Sequence, residues 1–472
     1  MSVTTRAWAA VPDTLKNDDT RLIAVLLVAI AVIYGLIGAV QATLAGSAVV
    51  NATFQTLQSI LYLSAVYALL ALALNLHWGY TGLFNIGVAG FMAVGVYATS
   101  ILAGDPSGLP PGLGLPIPVA IVGGTIAAAL VGGIAALPAL QLDADYFAIV
   151  TVGFSEIIRL TLKADTFSGT VTDPSASGYN VVTLFGLSFG TGGGRGISTP
   201  LNSPMGFLFD GPLAAVGQPL LAAGRSLGVT PPVVESATYT AFILLVVLTS
   251  YYVLVRRVGN SPFGRVLKAI REDETAAQSL GKDTRVFKIK VFMLGSALMG
   301  LAGILWQGTR GFVNPNTFKP LITFYVFTAL IVGGAGSNTG SVIGGAVFAS
   351  LLLEGPRQFA RLLDAAAQAT LGGLPEPNNF WLAVSSLDPA AWLGYTVANM
   401  PNLKFIFLGT VLVYLMQNRS EGLLGHRTEI ASTIDLGERP DRPGGATPAA
   451  DGGQQSNSDD AGAGTPGGEQ NE

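Results

Sequence analysis

Apolar residues in this chain do not alternate with polar ones; they run on for about twenty positions at a time, and polar stretches separate the runs. A bilayer core of about 30 Å requires roughly 17 to 25 apolar residues per helix. Ten runs approach that length, near 22–44, 57–77, 82–103, 117–140, 145–163, 238–255, 290–309, 320–336, 340–354 and 403–417. The pattern predicts an all-α polytopic membrane protein of about ten transmembrane helices, with a tail over 1–21, a transmembrane domain over 22–417 and a second tail over 418–472. The first run is too long for a signal-peptide core and reads as an uncleaved span. Runs 320–336 and 340–354 are short and parted by Gly and Asn, so they are either two full spans or a re-entrant pair.

Composition agrees with this picture. Only 11% of the 472 residues are charged, against about 25% in a soluble domain. There is no Cys, and His77 and His426 are the only histidines. No metal centre or bound cofactor is expected, and no nucleic-acid partner. The tail from Asn418 is acidic and rich in Gly, Pro, Ser, Gln and Asn, the composition of a disordered segment.

Charge then orients the spans. Residues 256–290 hold nine of the 25 bases, namely Arg256, Arg257, Arg265, Lys268, Arg271, Lys282, Arg285, Lys288 and Lys290. The long segment 164–237 holds only Arg195 and Arg225, and 355–402 only Arg357 and Arg361. Basic loops stay in the cytoplasm, which places 256–289 and both termini inside the cell and the two long segments outside. The basic loop also reads as helix, started by Ser261 and Pro262 and stopped by Gly281. Over 266–281, Leu267, Ile270, Ala277 and Leu280 form an apolar stripe flanked by Arg271, Glu272, Asp273 and Glu274. Such a helix below the membrane calls for a partner.

Two glycine-rich stretches, Gly79 to Gly95 and Gly333 to Gly345, interrupt apolar runs in opposite halves of the chain. Paired interruptions point to a substrate path in a transporter built from two related halves; close helix packing through small residues gives the same pattern. Gly79, Tyr80, Thr81, Gly82, Asn85 and Gly87 in the first stretch, and Gly333, Gly334, Gly336 and Asn338 in the second, are therefore path candidates or capped turns. Ser337 and Thr339 belong to the same polar set. Glu156 and Arg159 share a helix face at i, i+3 spacing, with Glu156 expected near mid-membrane. They form either an ion pair facing the bundle interior or a gate on the path. His77, beside Trp78, is expected as an anchor at the membrane interface.

Five blocks resemble one family. They are GYTGLFNIGVAGFMAVGVYATS (79–100), DADYFAIVTVGFSEIIRL (143–160), TGGGRGI (191–197), SPFGRVLKAIREDETAAQSLGKDTRVFKIKVF (261–292) and GGAGSNTGSVIGGAVF (333–348). In this order they are similar to the Liv-type branched-chain amino-acid permeases of ABC transporters, and most similar to the LivM-like partner. The resemblance implies a permease subunit that binds no nucleotide and works with ABC ATPase subunits, a second permease chain and an external binding protein in the cell membrane. It makes 261–292 the loop that docks on the ATPase. Ala276, Ala277 and Gly281 keep the importer spacing Glu-Ala-Ala, three residues, Gly, with Thr275 in the Glu position and Glu274 just before it. Val88 after Gly87 departs from the family, and 355–402 has the look of an insertion.

No stretch reads GxxxxGK[ST], the loop whose Lys reaches nucleotide phosphates; GGAGSNTG and TGGGRG lack that Lys. The chain is thus expected to be a transport subunit rather than an ATPase. Urea, short amides or a sugar remain alternative substrates. An autonomous secondary transporter would need ionisable residues in several spans, and they cluster here in one.

Overall fold

The structure, a computed structural model of the chain, describes residues 18–139, 144–169, 182–184, 187–201, 205–418 and 422–424. The expected tail up to residue 17, most of the acidic tail, His426 and residues 170–181, 185–186 and 202–204 of the segment 164–237 lie outside the described residues.

Each predicted run is helical, although the boundaries move. The first five helices are α1 (Asp18–Leu44), α2 (Val49–Thr81), α3 (Val88–Ala103), α4 (Ile117–Ala139) and α5 (Ala144–Lys163). After a short β-hairpin, β1 (Val182–Leu184) with β2 (Leu187–Phe189), come α6 (Ala214–Ser226) and α7 (Pro231–Asn260). The basic loop holds α8 (Pro262–Glu272) and α9 (Glu274–Ser279). Next are α10 (Thr284–Gln307), α11 (Pro320–Gly333) and α12 (Asn338–Leu371), then α13 (Phe380–Ser385), α14 (Pro389–Asn399) and α15 (Lys404–Asn418). Six of these are long and apolar enough to cross a membrane, or seven if the bent pair α14–α15 counts as one span; α3 and α11 are apolar but shorter. α5 carries too much charge to stand out by composition alone.

α2 is the central helix. From Ser64 to Thr81 nearly every side chain is buried, because α1, α10, α11 and α12 surround it. The second half of α10 is buried in the same way, packed on α3 and α4. Glycine sets these distances. A Cβ on Gly345 of α12 would lie 2.5 Å from the Ala68 amide nitrogen, and one on Gly95 of α3 would lie 2.6 Å from the Gly300 carbonyl oxygen. No side chain fits at either crossing, so the backbones themselves touch, as between helices that gain nothing from burying Leu against Leu.

The sequence reading is corrected at α12. Residues 355–402 do not begin as a loop, since one helix runs unbroken from Asn338 to Leu371. Pro356 cannot donate a backbone hydrogen bond, but residues 348–354 just before it form a wider π-type turn that absorbs the missing donor. α11 and α12 are therefore not matched half-spans; α11 has 14 residues and α12 has 34. A second correction concerns Gly422–Leu424, expected in a disordered tail. Leu423 and Leu424 donate backbone bonds of 2.9 and 3.1 Å to Val332 and Gly333 at the end of α11.

Candidate functional site

The loop that carries the nine bases folds as its sequence foretells, and then departs from it. Ser261 caps α8 by accepting the Gly264 amide at 3.2 Å, with Pro262 in the first turn. The helix does not continue to 281. Asp273 turns extended (φ −155°, ψ 106°), ends α8 and caps α9 by accepting the Ala276 amide at 3.0 Å. Gly281 follows α9 with φ +76°, the left-handed conformation expected of a helix stop.

This break changes which face is available. Leu267, Ile270 and Ala277 are buried against the chain's own helices, whereas Leu280 is 79% exposed. The apolar stripe thus seats α8 and α9 on the bundle instead of presenting them outward. Glu272, Asp273, Thr275, Ala276, Gln278 and Ser279 form the outward surface with Leu280. Three polar contacts fasten the unit from behind. Arg271 Nη1 donates to the Gly79 carbonyl at 2.5 Å, the Lys268 ammonium lies 5.4 Å from the Tyr80 ring centroid, and Lys288 Nζ pairs with Glu274 at 2.5 Å. Burial alone would raise the Glu274 carboxyl. Hydrogen bonds from Lys288, Thr284 and Gln278 and the Lys288 charge outweigh burial and hold the carboxyl below its ordinary range.

Gly79 and Tyr80 belong to the first glycine-rich stretch, and the structure brings the second against them. Asn75 Nδ2 donates to Asn338 Oδ1 at 3.1 Å, Asn338 Nδ2 donates to the Tyr80 hydroxyl at 2.8 Å, and the Gly336 amide donates to Asn75 Oδ1 at 2.8 Å. All four residues are buried or nearly so. Gly334 and Gly336 take φ values of +106° and +88°, so the turn after Gly333 requires glycine. A Cβ on Gly79 would stand 2.6 Å from the Gly336 amide nitrogen. The two stretches therefore meet at the end of the bundle that bears the basic loop, and Arg271 ties the loop to their junction. Asn75, absent from the candidate residues, holds the junction together. A lone Asn within the apolar run 57–77 was the signal for it.

The rest of the first stretch is equally well bonded. Thr81 caps the end of α2 through the His77 carbonyl, and Gly82 takes φ +72° there. His77 is fully buried, not at an interface. Its Nε2 faces the Phe292 carbonyl at 3.1 Å, which can only accept, so Nε2 carries the proton and Nδ1 accepts from Asn85 Nδ2 at 3.0 Å. Asn85 Oδ1 accepts the Gly87 amide at 2.8 Å, which fixes the amide orientation. The imidazole also stacks on Phe292 at 4.5 Å. These groups are consumed in holding α2, α3 and α10 together.

Glu156 and Arg159 form the ion pair their spacing predicts, with N–O distances of 2.5 and 2.8 Å. The pair does not face the bundle interior. The Glu156 side chain is 35% exposed, and Arg159 also donates to Asn316 at 3.0 Å beyond the far end of α10. TGGGRGI forms a turn that leads into Ile197–Ser198 (β3), which pairs with Phe312–Val313 (β4).

A cavity of about 620 Å³ opens at the opposite end from the basic loop. It lies between α2, α7, α10 and α12, and none of the candidate path residues lines it. Among its charged residues, Glu235, Arg310 and Glu354 escaped the sequence reading because they come from α7, the turn after α10 and α12, far apart in the chain and with no local pattern.

The sequence model for the branched-chain amino acid transport system permease component matches residues 56–359. The high-affinity branched-chain amino acid transport system permease protein LivM of Escherichia coli is 31% identical over 322 residues, covering 68% of this chain and 67% of that protein. LivM of Salmonella typhimurium is 30% identical over the same shares. The LivH permease protein of Escherichia coli is 32% identical over 110 residues, 23% of this chain and 35% of its own. No solved structure matches the chain. The matched span runs from the first turns of α2 to the cavity end of α12, and so takes in both glycine-rich stretches and the basic loop between them. The chain belongs to the family of branched-chain amino acid transport permease components, as a multi-pass membrane subunit of an ABC importer.

Proposed function

We propose that this subunit passes a branched-chain or other apolar amino acid into the cell. An external binding protein delivers the substrate, and ATPase subunits seated on α8 and α9 drive the cycle. The reading places the basic loop and both termini in the cytoplasm and the protein in the cell membrane. α15 and residues 422–424 return to the basic end, which supports that placement. Similarity to both LivM-named and LivH-named proteins supports a second, related permease chain beside this one. No cofactor or metal is assigned to the chain.

The observation that carries the proposal is the α8–α9 unit. Its apolar side is buried in the bundle, its outer side is polar and exposed, and Arg271 and Lys268 connect it to the junction of the two glycine-rich stretches. A partner pushing on α9 would move the ends of α2 and α12 directly. The test uses Ala276→Arg and Leu280→Glu, both on the exposed face, in the assembled transporter. Each variant should reach the membrane normally, while ATPase co-purification and uptake of leucine, isoleucine and valine fall together. Normal co-purification and uptake in both would sink the docking site. Since the chain has no cysteine, single cysteines at Ser279 and Ser226 report sidedness. They should label from the cytoplasm and from outside respectively, and labelling of both from one face would refute the orientation.

A further inference from the structure

Five charged side chains line the 620 Å³ cavity, Glu235 on α7, Arg310 beyond α10, and Glu354, Arg357 and Arg361 on α12. Their charges do not cancel in pairs. Arg357 and Glu354 bond at 2.5 Å, but among the described residues no ion pair or hydrogen bond involves the side chain of Glu235, Arg310 or Arg361. Unpaired charges of opposite sign therefore border one cavity. The arginines also stand at the end of the bundle from which the topological bias removes bases. Both bases of the 355–402 segment line this cavity, so orientation in the membrane does not account for them.

Three aromatic residues, Tyr62, Tyr239 and Trp306, also line the cavity. The Tyr62 and Tyr239 rings lie 5.9 Å apart, and their hydroxyls donate to the Leu305 carbonyl at 2.9 and 2.8 Å. Those hydroxyls are thereby occupied and the rings remain as apolar surface. Trp306 lines the same cavity, and its buried indole N–H has no hydrogen-bond partner among the described residues. Small-molecule sites occupy about 300–1,000 Å³ and set placed polar groups against apolar surface; this cavity has that volume, with a largely polar lining in which Tyr62, Leu63, Met205, Tyr239 and Trp306 supply the apolar surface.

We propose that the cavity is a vestibule that binds a free zwitterionic amino acid on the permease itself. Arg310 and Arg361 receive the α-carboxylate, Glu235 receives the α-ammonium, and the apolar side chain rests on Tyr62, Tyr239 and Trp306. A neutral sugar or urea would leave these opposed charges without counterparts. The inference rests on the amino-acid reading above and adds to it a binding site on this chain, apart from the binding protein.

The test measures equilibrium binding of radiolabelled leucine to the assembled transporter in nanodiscs, without the binding protein. Competitors are isoamylamine, which lacks the carboxylate, and isovalerate, which lacks the ammonium. Wild type should prefer leucine to both. Glu235→Gln and Arg310→Gln should each weaken leucine binding at least tenfold. Glu235→Gln should also narrow the gap between leucine and isovalerate, and Arg310→Gln the gap between leucine and isoamylamine, which a purely structural effect would not do. Ser236→Trp, which fills the mouth from an exposed helix position, should abolish binding. Arg225→Gln, on the same side of the bundle but outside the cavity, should leave it unchanged. Absent binding in wild type, or equal affinity in all the cavity variants, overturns the vestibule. Uptake assays with the binding protein separate the two readings. If wild type imports leucine and the cavity variants do so equally well, the vestibule is wrong and the permease reading stands. If wild type imports none of the branched-chain amino acids, the substrate reading itself fails.

Discussion

Replacing Arg271 with Met isolates the connection between the basic loop and the bundle. The last carbonyls of a helix have no partner within it. At the end of α2 the Gly82 and Leu83 amides take the Trp78 and His77 carbonyls, and the Gly79 carbonyl is left for Arg271. A hydrogen bond from a charged donor contributes about 1.5–3 kcal/mol, and a cation at a helix C-terminus adds about 0.3–1 kcal/mol. The Arg271 side chain is 25% exposed, and solvent screening at that exposure brings the sum to about 2 kcal/mol. That corresponds to roughly 30-fold in the equilibrium between a seated and a displaced α8. α8 itself should stay folded, since Ser261 still caps it and Leu267 and Ile270 remain buried. Arg271→Met should therefore reach the membrane at normal levels. Amide exchange over Phe263–Glu272 should rise by up to about 30-fold, and the ATP hydrolysed per substrate imported should increase. Arg271→Lys keeps one donor and should recover part of the loss. Unchanged exchange over α8 in Arg271→Met would refute the reasoning, because the bond would then contribute nothing to seating the helix.

Three further outcomes follow from the same contacts. Asn338→Ala removes the acceptor of Asn75 Nδ2 and the donor to Tyr80; a stranded buried donor plus a second lost bond should cost about 2–4 kcal/mol, read as a lower thermal midpoint, and the loss should be non-additive with Asn75→Ala. The Glu274–Lys288 pair should attach α9 to α10 at neutral pH and release it only in acid. The folded carboxyl lies below its ordinary value of 4.5, so its contribution is complete above that value and disappears as pH falls through the depressed one; a probe at Ser279 should report the release, and Lys288→Met should remove the pH dependence. Glu156→Gln leaves Arg159 without its carboxylate partner, so its loss in thermal unfolding should be larger than in an Arg159→Gln background; equal losses in the two backgrounds would mean that the pair contributes nothing.

Hydropathy made the helices legible because a continuous apolar run has one solution in a bilayer. Local capping chemistry was legible too. Ser261, Pro262 and Gly281 each do what their side chains, or lack of one, dictate. The direction in which an amphipathic helix faces was not. Leu267, Ile270 and Ala277 fit a partner's cleft or the chain's own core equally well by periodicity, and only tertiary packing decides between them. Asp273 carried its own signal as a helix-capping residue, but inside a helical pattern it read as a flanking charge. His77 misled for a related reason. An isolated histidine beside Trp resembles an interfacial anchor, and its burial depends on Asn85 and the Phe292 carbonyl, one 8 residues and the other 215 residues away in the chain.

The positions of the glycines bear on how movement could pass through the bundle. Where Gly345 meets Ala68 and Gly333 meets Gly344, backbone lies on backbone with no side chain between. Such a contact has little give, because interiors are close-packed and the groups that touch are rigid peptide planes. The Asn75–Asn338–Tyr80 bonds join those same helices at the basic end, and Arg271 extends the connection to α8. A displacement of α8 would therefore move the ends of α2 and α12 together rather than bend side chains between them. Nearer their middles these two helices line the 620 Å³ cavity with Tyr62 and Glu354. A rigid tilt that begins at the docking surface would thus change the shape of the cavity more than that of the junction.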